Sequence, residues 1–263
     1  MQEIAVIGTG YVGLVLGACL ADHGHRVVCV DIDPAKVERL KRGEVPIHEE
    51  GLPDIVAQAM QKGNLRFTCD AQSAIRESEL IFIAVGTPQD RDGSADLRFV
   101  LDVAATIGRA MNGPKVVICK STVPVGTCQR VREVLERHAS HPFHVVSNPE
   151  FLREGSAVAD FSCPDRVVIG ADDAQASDRV AAVYASFVPA ERILRMSVQS
   201  AEMTKYAANS LLATKISFIN EIANVSEETG ADVSEVARGM GLDDRIGPKF
   251  LQAGIGFGGS CFP

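Results

Sequence analysis

A glycine-rich turn close to the start of the chain constrains the fold more than any other feature. Gly8, Gly10 and Gly13 follow the apolar run of residues 4–7 and open a helical pattern, and Asp31 ends the next apolar run. Glycine permits a tight turn that brings backbone N–H groups against a pyrophosphate, while the acid can hydrogen-bond a ribose hydroxyl. A plain glycine turn is the alternative. Strand, turn, helix, strand and acid in this order predict a dinucleotide-binding site. The site is predicted to take NAD, because the charge of Asp31 would repel the extra phosphate of NADP.

Short β-rich runs alternate with helical patterns from residue 3 to about residue 196. Several runs are apolar without alternation, as expected for strands covered on both faces, and the order is typical of parallel βαβ units. We predict a Rossmann-like α/β domain over residues 1–196, built on a doubly wound parallel sheet. The predicted strands are residues 4–7, 26–30, 65–68, 80–85, 115–119, 143–146, 166–169 and 192–194.

The sequence pattern changes near residue 197. Residues 199–230 contain no proline and one glycine, at the end, and their apolar positions recur at helical spacing. This predicts a single helix of about 30 residues, well beyond the usual ~10–14. A capping box from Asp232 to Glu235 then starts a shorter helix. We infer that either a second domain or another subunit packs on the far side of this helix. We predict that residues 197–263 form a central helical region, and we also predict a homodimer built on the helix of residues 199–230.

Composition and charge narrow the range of partners. The chain has 46% hydrophobic and 23% charged residues, which is ordinary for a soluble globular protein, and no apolar segment approaches the ~18 residues of a membrane helix. A net charge of −8 without a long Lys/Arg run argues against nucleic acid. The seven cysteines form no C-x-x-C pair and no metal-ligand spacing. We therefore expect a reduced, cytoplasmic protein with no membrane partner, no nucleic-acid partner and no metal.

Residues after the later strands extend the predicted site. Residues 85–88 (VGTP) and 121–124 (STVP) fall at strand ends, where an open α/β sheet places its ligand. Glu150 and Glu154 are four residues apart and would share a face if the segment were helical. They could then handle protons or position water, although two exposed surface acids are the commoner explanation of such spacing.

Two further features have the residue types for chemistry at a carbonyl group. Lys205 and Asn209, four apart on the long helix, suit an oxygen that becomes negative during reaction, or else are a solvated lysine and a surface asparagine. Cys261 lies among three glycines near the end of the chain. A thiolate can add to an aldehyde, and the adduct can lose a hydride to NAD and leave a thioester for water to cleave. A flexible chain end is the alternative, and spacing alone does not decide.

Eight motifs occur in one order along the chain. They are GTGYVGL, VDID, VGTP, STVPVGT, NPEFLREG, EMTKYAANSLLATKISFINE, DDRIG and GFGGSCFP. Together they resemble the UDP-glucose 6-dehydrogenase branch of the nucleotide-sugar dehydrogenase family over the whole chain. The resemblance implies oxidation of the C6 alcohol of a nucleotide sugar to an acid by two hydride transfers to NAD. It implies UDP-glucose as the substrate, with GDP-mannose or a UDP-N-acetylhexosamine as alternatives.

The resemblance also implies roles for individual residues. Cys261 is similar to the nucleophile that holds the aldehyde as a thiohemiacetal and then as a thioester. Lys205 and Asn209 are similar to the oxyanion-stabilising residues of the family, and Glu150 is similar to its acid/base residue. Thr122 and Glu154 are similar to the residues that order water and the cofactor. The positions similar to NAD contacts are Gly8, Gly10, Tyr11, Val12, Gly13, Asp31, Lys36, Val85, Gly86, Thr87, Ser121, Thr122 and Glu154. Those similar to substrate contacts are Phe151, Leu152, Arg153, Glu154, Lys205, Asn209, Arg245, Phe250, Phe257 and Gly258, with Arg245 reaching the substrate of a neighbouring subunit.

The sequence departs from the family pattern after its cysteine. Members of the family continue with Lys-Asp, the aspartate being a catalytic partner, and then with a second α/β domain that grips the nucleotide. The 263 residues are therefore expected to bind NAD without turning over a sugar by themselves. Two other functions remain open, a single-step hydroxyacid dehydrogenase, which would need no cysteine, and a non-catalytic NAD-binding or dimerisation module.

Overall fold

Eight strands form one sheet in the computed structural model, which describes residues 1–258. The strands are β1 (Glu3–Ile7), β2 (Arg26–Val30), β3 (Leu65–Thr68), β4 (Leu80–Ile83), β5 (Lys115–Cys119), β6 (Phe143–Ser147), β7 (Val167–Ala171) and β8 (Ile193–Met196). Their order across the sheet is β3-β2-β1-β4-β5-β6-β7-β8. The chain runs outward from β1 to β3 and returns to place β4 on the other side of β1. The sheet is therefore doubly wound, and the predicted Rossmann-like α/β fold is confirmed.

Ten helices accompany the strands in the described part of the chain. They are α1 (Tyr11–Asp22), α2 (Pro34–Lys41), α3 (Leu52–Gln61), α4 (Ala71–Glu77), α5 (Arg98–Ala110), α6 (Thr127–His138), α7 (Ala157–Ser162), α8 (Ala174–Tyr184), α9 (Val198–Thr229) and α10 (Val233–Gly241). Aspartate side chains cap the N-termini of four of these helices. Asp33, Asp70, Asp173 and Asp232 each accept a hydrogen bond from a backbone N–H of the first turn that follows, which satisfies a donor that the helix itself leaves unpaired.

The apolar side chains of the strands enter two cores, one on each face of the sheet. In β1, Ile4 and Val6 belong to one cluster, while Ala5 and Ile7 belong to the other. Successive side chains of a strand point to opposite faces, so both faces of β1 are covered. This burial explains why several of the strand sequences are apolar without alternation.

Two strands, β7 and β8, depart from the predicted parallel direction, because β8 pairs parallel with the reversed β7. β7 pairs antiparallel with β6, whereas the other neighbouring strands within residues 1–258 pair parallel. Between β6 and β7 the only regular element is α7, which has six residues. Antiparallel pairing requires that the chain leave β6 and enter β7 at the same edge of the sheet, so this connection does not cross a face. β7 therefore enters the sheet from that edge and runs in the opposite direction.

The long helix forms as one element of 32 residues. The predicted helix of residues 199–230 differs from α9 by one residue at each end. The chain divides into two compact units, the first of residues 1–203 and the second beginning at Thr204. The division at residues 196 and 197 into an NAD-binding and a central region stays a prediction. Within residues 1–258, every helix is too short or too polar to span a membrane.

A buried carboxylate holds the first turns of α9 within the first unit. Glu202 is 2% exposed and accepts hydrogen bonds from the backbone N–H groups of Gly126 and Cys128, each at 2.8 Å. These N–H groups belong to the start of α6, whose N-cap residue Gly126 has no side chain that could receive them. The negative charge is also favoured at the positive end of the helix dipole. On the sheet side, an added Cβ at Gly170 would lie 2.5 Å from the Cβ of Ala201, so α9 approaches β7 closely.

Replacing Glu202 by Gln is expected to destabilise the first unit by about 1–3 kcal/mol. The amide has one acceptor oxygen where the carboxylate has two, so one buried N–H loses its charged partner. Urea unfolding of the chain measures the effect, with Glu227→Gln on an exposed position of the same helix as the matched control. The control is expected to change the free energy of unfolding by less than about 0.5 kcal/mol. Equal midpoints for the two variants would contradict this account.

Candidate active site

The loops that follow five strands meet along one edge of the sheet. Strands β1 to β6 are mutually parallel, so their carboxyl ends lie on the same side. The glycine turn of residues 8–13 follows β1, at the point between β1 and β4 where the strand order reverses. Open α/β sheets bind ligands outside the carboxyl ends of the strands at such a point. The predicted NAD contacts of the first unit lie along this edge.

The glycine turn leads from β1 into α1 with little space to spare. Gly8 has φ of 102°, in the left-handed region that favours glycine. An added Cβ at Gly13 would lie 2.0 Å from the carbonyl oxygen of Gly8, whereas one at Gly10 would meet no described atom within 4 Å. The turn therefore closes only with glycine at position 13. At position 10 it leaves open space in front of the first N–H groups of α1, which begins at Tyr11 and Val12, and this arrangement suits a pyrophosphate.

Asp31, directly after β2, is held by four hydrogen bonds. Its Oδ2 accepts from the backbone N–H of Thr9 at 3.1 Å, from the Thr9 hydroxyl at 2.5 Å and from Nζ of Lys36 at 2.8 Å. Its Oδ1 accepts from the backbone N–H of Asp33 at 3.1 Å. Burial alone would raise the pKa of Asp31, but the hydrogen bonds from Lys36, Thr9 and Asp33 outweigh it and lower the pKa to about 2. Asp31 is therefore an anion at neutral pH, and the neighbouring Ile32 offers an apolar surface that is 90% exposed.

Hydrogen bonds join the loops that follow β4 and β5. The hydroxyl of Ser121 donates to the carbonyl oxygen of Val85 at 2.6 Å, and the hydroxyl of Thr87 donates to the carbonyl oxygen of Thr122 at 2.9 Å. Gly86 between them is exposed. The two loops thus form one surface, and Val85 places that surface beside the glycine turn.

Glu150 is a buried acid two residues after Asn148. Its Oε2 accepts from the backbone N–H of Leu152 at 2.6 Å, and its Oε1 lies 3.5 Å from the hydroxyl oxygen of Thr122. The structure therefore brings together Glu150, predicted for acid/base chemistry, and Thr122, one of the two residues predicted to order water. The helical face considered for Glu150 and Glu154 is wrong, because the chain forms turns there and α7 begins only at residue 157. Burial of Glu150 also excludes the alternative of two exposed acids.

A network of buried polar groups surrounds Asn148 at the end of β6. Its side chain donates to the carbonyl oxygen of Val168 at 2.8 Å, and its Oδ1 accepts from the hydroxyl of Tyr184 at 2.6 Å and from Nζ of Lys120 at 3.3 Å. The same Nζ lies 5.8 Å from the centroid of the Tyr184 ring, within reach of a cation–π interaction. Buried polar groups need such partners to offset the loss of water. The network fixes the ends of β5 and β6 relative to each other.

Tyr11 and Glu49 link the glycine turn to the segment that carries Glu154. The buried carboxylate of Glu49 accepts hydrogen bonds from the hydroxyl of Tyr11, from the backbone N–H of Gly155 at 2.9 Å and from that of Val158 at 3.4 Å. Burial and the hydrogen bond to Glu49 raise the pKa of Tyr11 to about 12, and the charge of Glu154 contributes further. Burial alone would raise the pKa of Glu49, but its hydrogen bonds outweigh it and lower the pKa. Glu154 is exposed and lies near the first residue of α1.

Three predicted substrate contacts follow Glu150. The ring of Phe151 lies against the guanidinium group of Arg166, 3.8 Å from the ring centroid, a distance typical of a cation–π interaction. Arg153 is exposed and makes a bidentate pair with Asp160, at 3.0 and 2.5 Å. Leu152 is half-buried and packs on the larger core. An aromatic ring and two cations thus stand near the same edge of the sheet.

Predicted catalytic residues of the second unit lie on α9. Lys205 is 5% exposed, which excludes the alternative of a solvated lysine. Asn209, one helical turn further along, is half-buried. Cys261 lies outside the described residues.

The other predicted residues of the second unit follow α10. Arg245 is exposed and paired with the carboxylate of Asp243, with the shorter contact at 2.6 Å. Phe250 has φ of 64°, a conformation that bulky residues rarely adopt and that a functional site often requires. Phe257 is half-buried and Gly258 is exposed.

Sequence patterns assign no role to several residues that shape the site. Thr9, Glu49, Lys120 and Tyr184 belong to this group. Their hydrogen bonds join segments far apart in the chain, such as Glu49 and Gly155, which are 106 residues apart. Only position gives a signal, since Thr9 lies inside the glycine turn and Lys120 directly follows a strand. Within residues 1–258, no group of three or more His, Cys, Asp or Glu side chains is arranged to hold a metal ion.

A doubly wound sheet with a glycine turn at its reversal point and an ionised aspartate after β2 defines a dinucleotide-binding protein of the dehydrogenase class. Residues 2–188 match the NAD binding domain of the UDP-glucose/GDP-mannose dehydrogenase family, and residues 199–263 match the central domain of the same family. The chain belongs to this family, and its cofactor is NAD.

Named relatives extend the comparison. The chain is 54% identical over 265 residues to a UDP-glucose 6-dehydrogenase of Bacillus subtilis, covering 100% of this chain and 57% of that protein. It is 50% identical over 268 residues to a UDP-glucose 6-dehydrogenase of Pseudomonas aeruginosa, covering 100% of this chain and 59% of that protein. The chain thus spans under two thirds of the length of these relatives.

Two solved structures share the fold over the whole chain. A UDP-glucose dehydrogenase from Pyrobaculum islandicum superposes with a TM-score of 0.96 at 45% identity, covering 100% of this chain and 61% of that one. A ternary complex of GDP-mannose dehydrogenase from Pseudomonas aeruginosa superposes with a TM-score of 0.89 at 36% identity, covering 100% of this chain and 62% of that one.

Alanine at positions 10 and 13 is expected to act in different ways. Gly10 has φ of −67° and ψ of −170°, which suit any residue, so Gly10→Ala should fold normally while its methyl group occupies the pyrophosphate space. We expect NAD affinity to fall by at least about tenfold. Gly13→Ala is expected to destabilise the chain by about 1–3 kcal/mol, since the methyl group overlaps the backbone of Gly8. Calorimetric titration with NAD and thermal unfolding distinguish the two effects. Unchanged NAD affinity in Gly10→Ala would contradict the placement of the pyrophosphate.

Proposed function

We propose that this chain is the NAD-binding and central part of a UDP-glucose 6-dehydrogenase. In this proposal the C6 alcohol of UDP-glucose is oxidised to the carboxylate of UDP-glucuronate in two NAD-dependent steps. The observation that carries the proposal is the 54% identity over the whole chain to a protein named UDP-glucose 6-dehydrogenase. The GDP-mannose enzyme is the second candidate, at 36% identity. A UDP-N-acetylmannosamine enzyme of Pyrococcus horikoshii is less similar, at 28% identity.

The carboxyl edge of the sheet would hold the cofactor. Bound NAD supplies a hydride acceptor for each of the two oxidations. The N–H groups at the start of α1 would receive the pyrophosphate, and Asp31 with Lys36 would hold the ribose. The residues proposed to contact NAD are Gly8, Gly10, Tyr11, Val12, Gly13, Asp31, Lys36, Val85, Gly86, Thr87, Ser121, Thr122 and Glu154.

Glu150 and Thr122 would handle protons and water beside the cofactor. Glu150 is buried at the end of β6, and its Oε1 faces the hydroxyl of Thr122. A carboxylate in this position could take the proton of the sugar hydroxyl as the hydride leaves C6. Thr122 and Glu154 would then orient the water that completes the second step.

Cys261 would carry the covalent part of the reaction. Its thiolate adds to the aldehyde carbon, and the resulting oxygen anion is stabilised by Lys205 and Asn209. Loss of the second hydride from that carbon converts the thiohemiacetal into a thioester. Water then attacks the thioester carbon, which releases the carboxylic acid and restores the thiol. The substrate would contact Phe151, Leu152, Arg153, Glu154, Lys205, Asn209, Arg245, Phe250, Phe257 and Gly258.

A homodimer through α9 is part of the proposal. Leu211, Phe218 and Val225 are 61%, 47% and 55% exposed. They recur every seven residues, so they form one apolar stripe along the helix. An exposed apolar stripe of this kind is favourable only when another surface covers it. A second copy of the chain is the proposed cover, with Arg245 reaching the neighbouring substrate.

The stoichiometry of NADH tests the two-step reaction. Full-length protein supplied with limiting UDP-glucose is expected to form two NADH for each sugar consumed. Cys261→Ser is expected to keep its affinity for NAD and to lose formation of the acid, because serine is a poorer nucleophile than a thiolate. One NADH per sugar would instead indicate a single-step dehydrogenase. Parallel assays with GDP-mannose and UDP-N-acetylmannosamine compare the alternative substrates, and NAD binding without turnover of any of them would favour a non-catalytic module.

Charge on the apolar stripe is expected to dissociate the dimer. The double variant Leu211→Glu and Phe218→Glu should run as a monomer in light scattering, while the unaltered protein runs as a dimer, since like charges would face each other across the helix pair. Glu227→Lys on the opposite face of α9 is the matched control and should stay dimeric. A monomeric unaltered protein would contradict the proposed assembly.

A further inference from the structure

Thr9 has a side chain that the glycine turn itself does not require. The turn needs glycine at its first, third and sixth positions, whereas Thr9 at the second position is 0% exposed. Its hydroxyl donates to Oδ2 of Asp31 at 2.5 Å, and its backbone N–H donates to the same oxygen at 3.1 Å. A buried hydroxyl aimed at a carboxylate is a strong, charge-assisted hydrogen bond. Thr9 thus connects the turn that would hold the pyrophosphate to the acid that would hold the ribose.

The donors around Asp31 divide unequally between its two oxygens. Oδ2 accepts from the N–H and hydroxyl of Thr9 and from Nζ of Lys36, whereas Oδ1 accepts from the N–H of Asp33. A carboxylate oxygen has about two lone-pair sites. Oδ2 is therefore saturated, and Oδ1 keeps the capacity to accept a further hydrogen bond. The three donors on Oδ2 also prevent the carboxylate from rotating about its Cβ–Cγ bond.

We propose that Thr9 determines the preference for NAD over NADP by fixing the carboxylate of Asp31 so that Oδ1 faces the ribose diol. The inference rests on the NAD-binding role of this site. An acid at the position of Asp31 commonly selects NAD. In this proposal the orientation of its carboxylate is set by Thr9, at a position where the glycine pattern requires no particular residue.

The charge of Asp31 alone is a weak barrier to NADP in this protein. Nζ of Lys36 lies 2.8 Å from Oδ2, and the lysine side chain is 26% exposed. This cation offsets part of the negative charge and would itself attract a 2′-phosphate. Discrimination therefore needs the hydrogen bond that the 2′-hydroxyl of NAD donates to Oδ1 and that NADP cannot make. That bond requires the fixed carboxylate.

The test compares Thr9→Val with Thr9→Ser in calorimetric titrations with NAD and with NADP. Valine keeps the shape and the backbone N–H but lacks the hydroxyl, whereas serine keeps the hydroxyl. Thr9→Val is expected to bind NAD about tenfold more weakly than the unaltered chain, and to bind NADP with an affinity within about twofold of it. The ratio of NAD affinity to NADP affinity therefore falls by about tenfold. Thr9→Ser is expected to restore the preference. Thermal unfolding of both variants shows whether each is folded.

A second variant separates this role from a purely structural one. In Asp31→Ala, which leaves the Thr9 hydroxyl no side-chain acceptor at position 31, adding Thr9→Val should cause no further loss of NAD affinity, because Thr9 acts only through that side chain. Additive losses in the double variant, equal losses of NAD and NADP in Thr9→Val, or an unchanged preference would each overturn the inference. Failure of the unaltered chain to bind NAD would instead overturn the proposed site itself.

Discussion

The close approach of α1 to the sheet is the contact on which the rest of the site depends. An added Cβ at Gly13 would lie 2.0 Å from the carbonyl oxygen of Gly8, and one at Gly17 would lie 2.3 Å from Sγ of Cys29. Any side chain at these positions would move the helix away from β1 and β2. Its first N–H groups would then leave the carboxyl edge, where the other loops converge. The geometry proposed for cofactor binding is therefore a consequence of backbone packing more than of any polar contact.

Three buried or half-buried carboxylates hold the loops around this contact. Asp31 fixes the glycine turn to the end of β2, Glu49 fixes α1 to the segment before α7, and Glu202 fixes α6 to α9. An acid removed from water is costly unless several donors surround it. Here each acid receives at least two hydrogen bonds from backbone N–H or hydroxyl groups, and the pKa values of Asp31 and Glu49 are lowered accordingly. The hydrogen bonds that offset the desolvation of each acid also fix the distance between two segments that are far apart in the chain.

The predicted elements agree with the observed ones where local signals are strong. All eight strands form close to their predicted positions. Most of them are short apolar runs bounded by turns, and in a chain that alternates such runs with helical patterns this favours buried strands. The reversed direction of β7 was not predictable from the sequence. It depends on whether residues 148–166 cross a face of the sheet, and no local sequence pattern in that segment indicates whether they do. The helical face of Glu150 and Glu154 failed for a similar reason. Spacing of four residues has meaning only inside a helix, and the chain turns there before α7 begins.

By itself, the sequence determined the order of strands and helices, the glycine turn, the acid after β2 and the long helix, because each depends on neighbours within a few residues. It also determined the family, since eight ordered motifs rarely arise by chance. Only the tertiary structure decided which polar residues are buried together: Thr9 with Asp31, Glu150 with Thr122, Glu202 with the start of α6, and Asn148 with Lys120 and Tyr184. These pairs join residues from 22 to 76 positions apart. A hydrogen bond depends on distance in space, and that distance is set when separate segments pack on the same sheet.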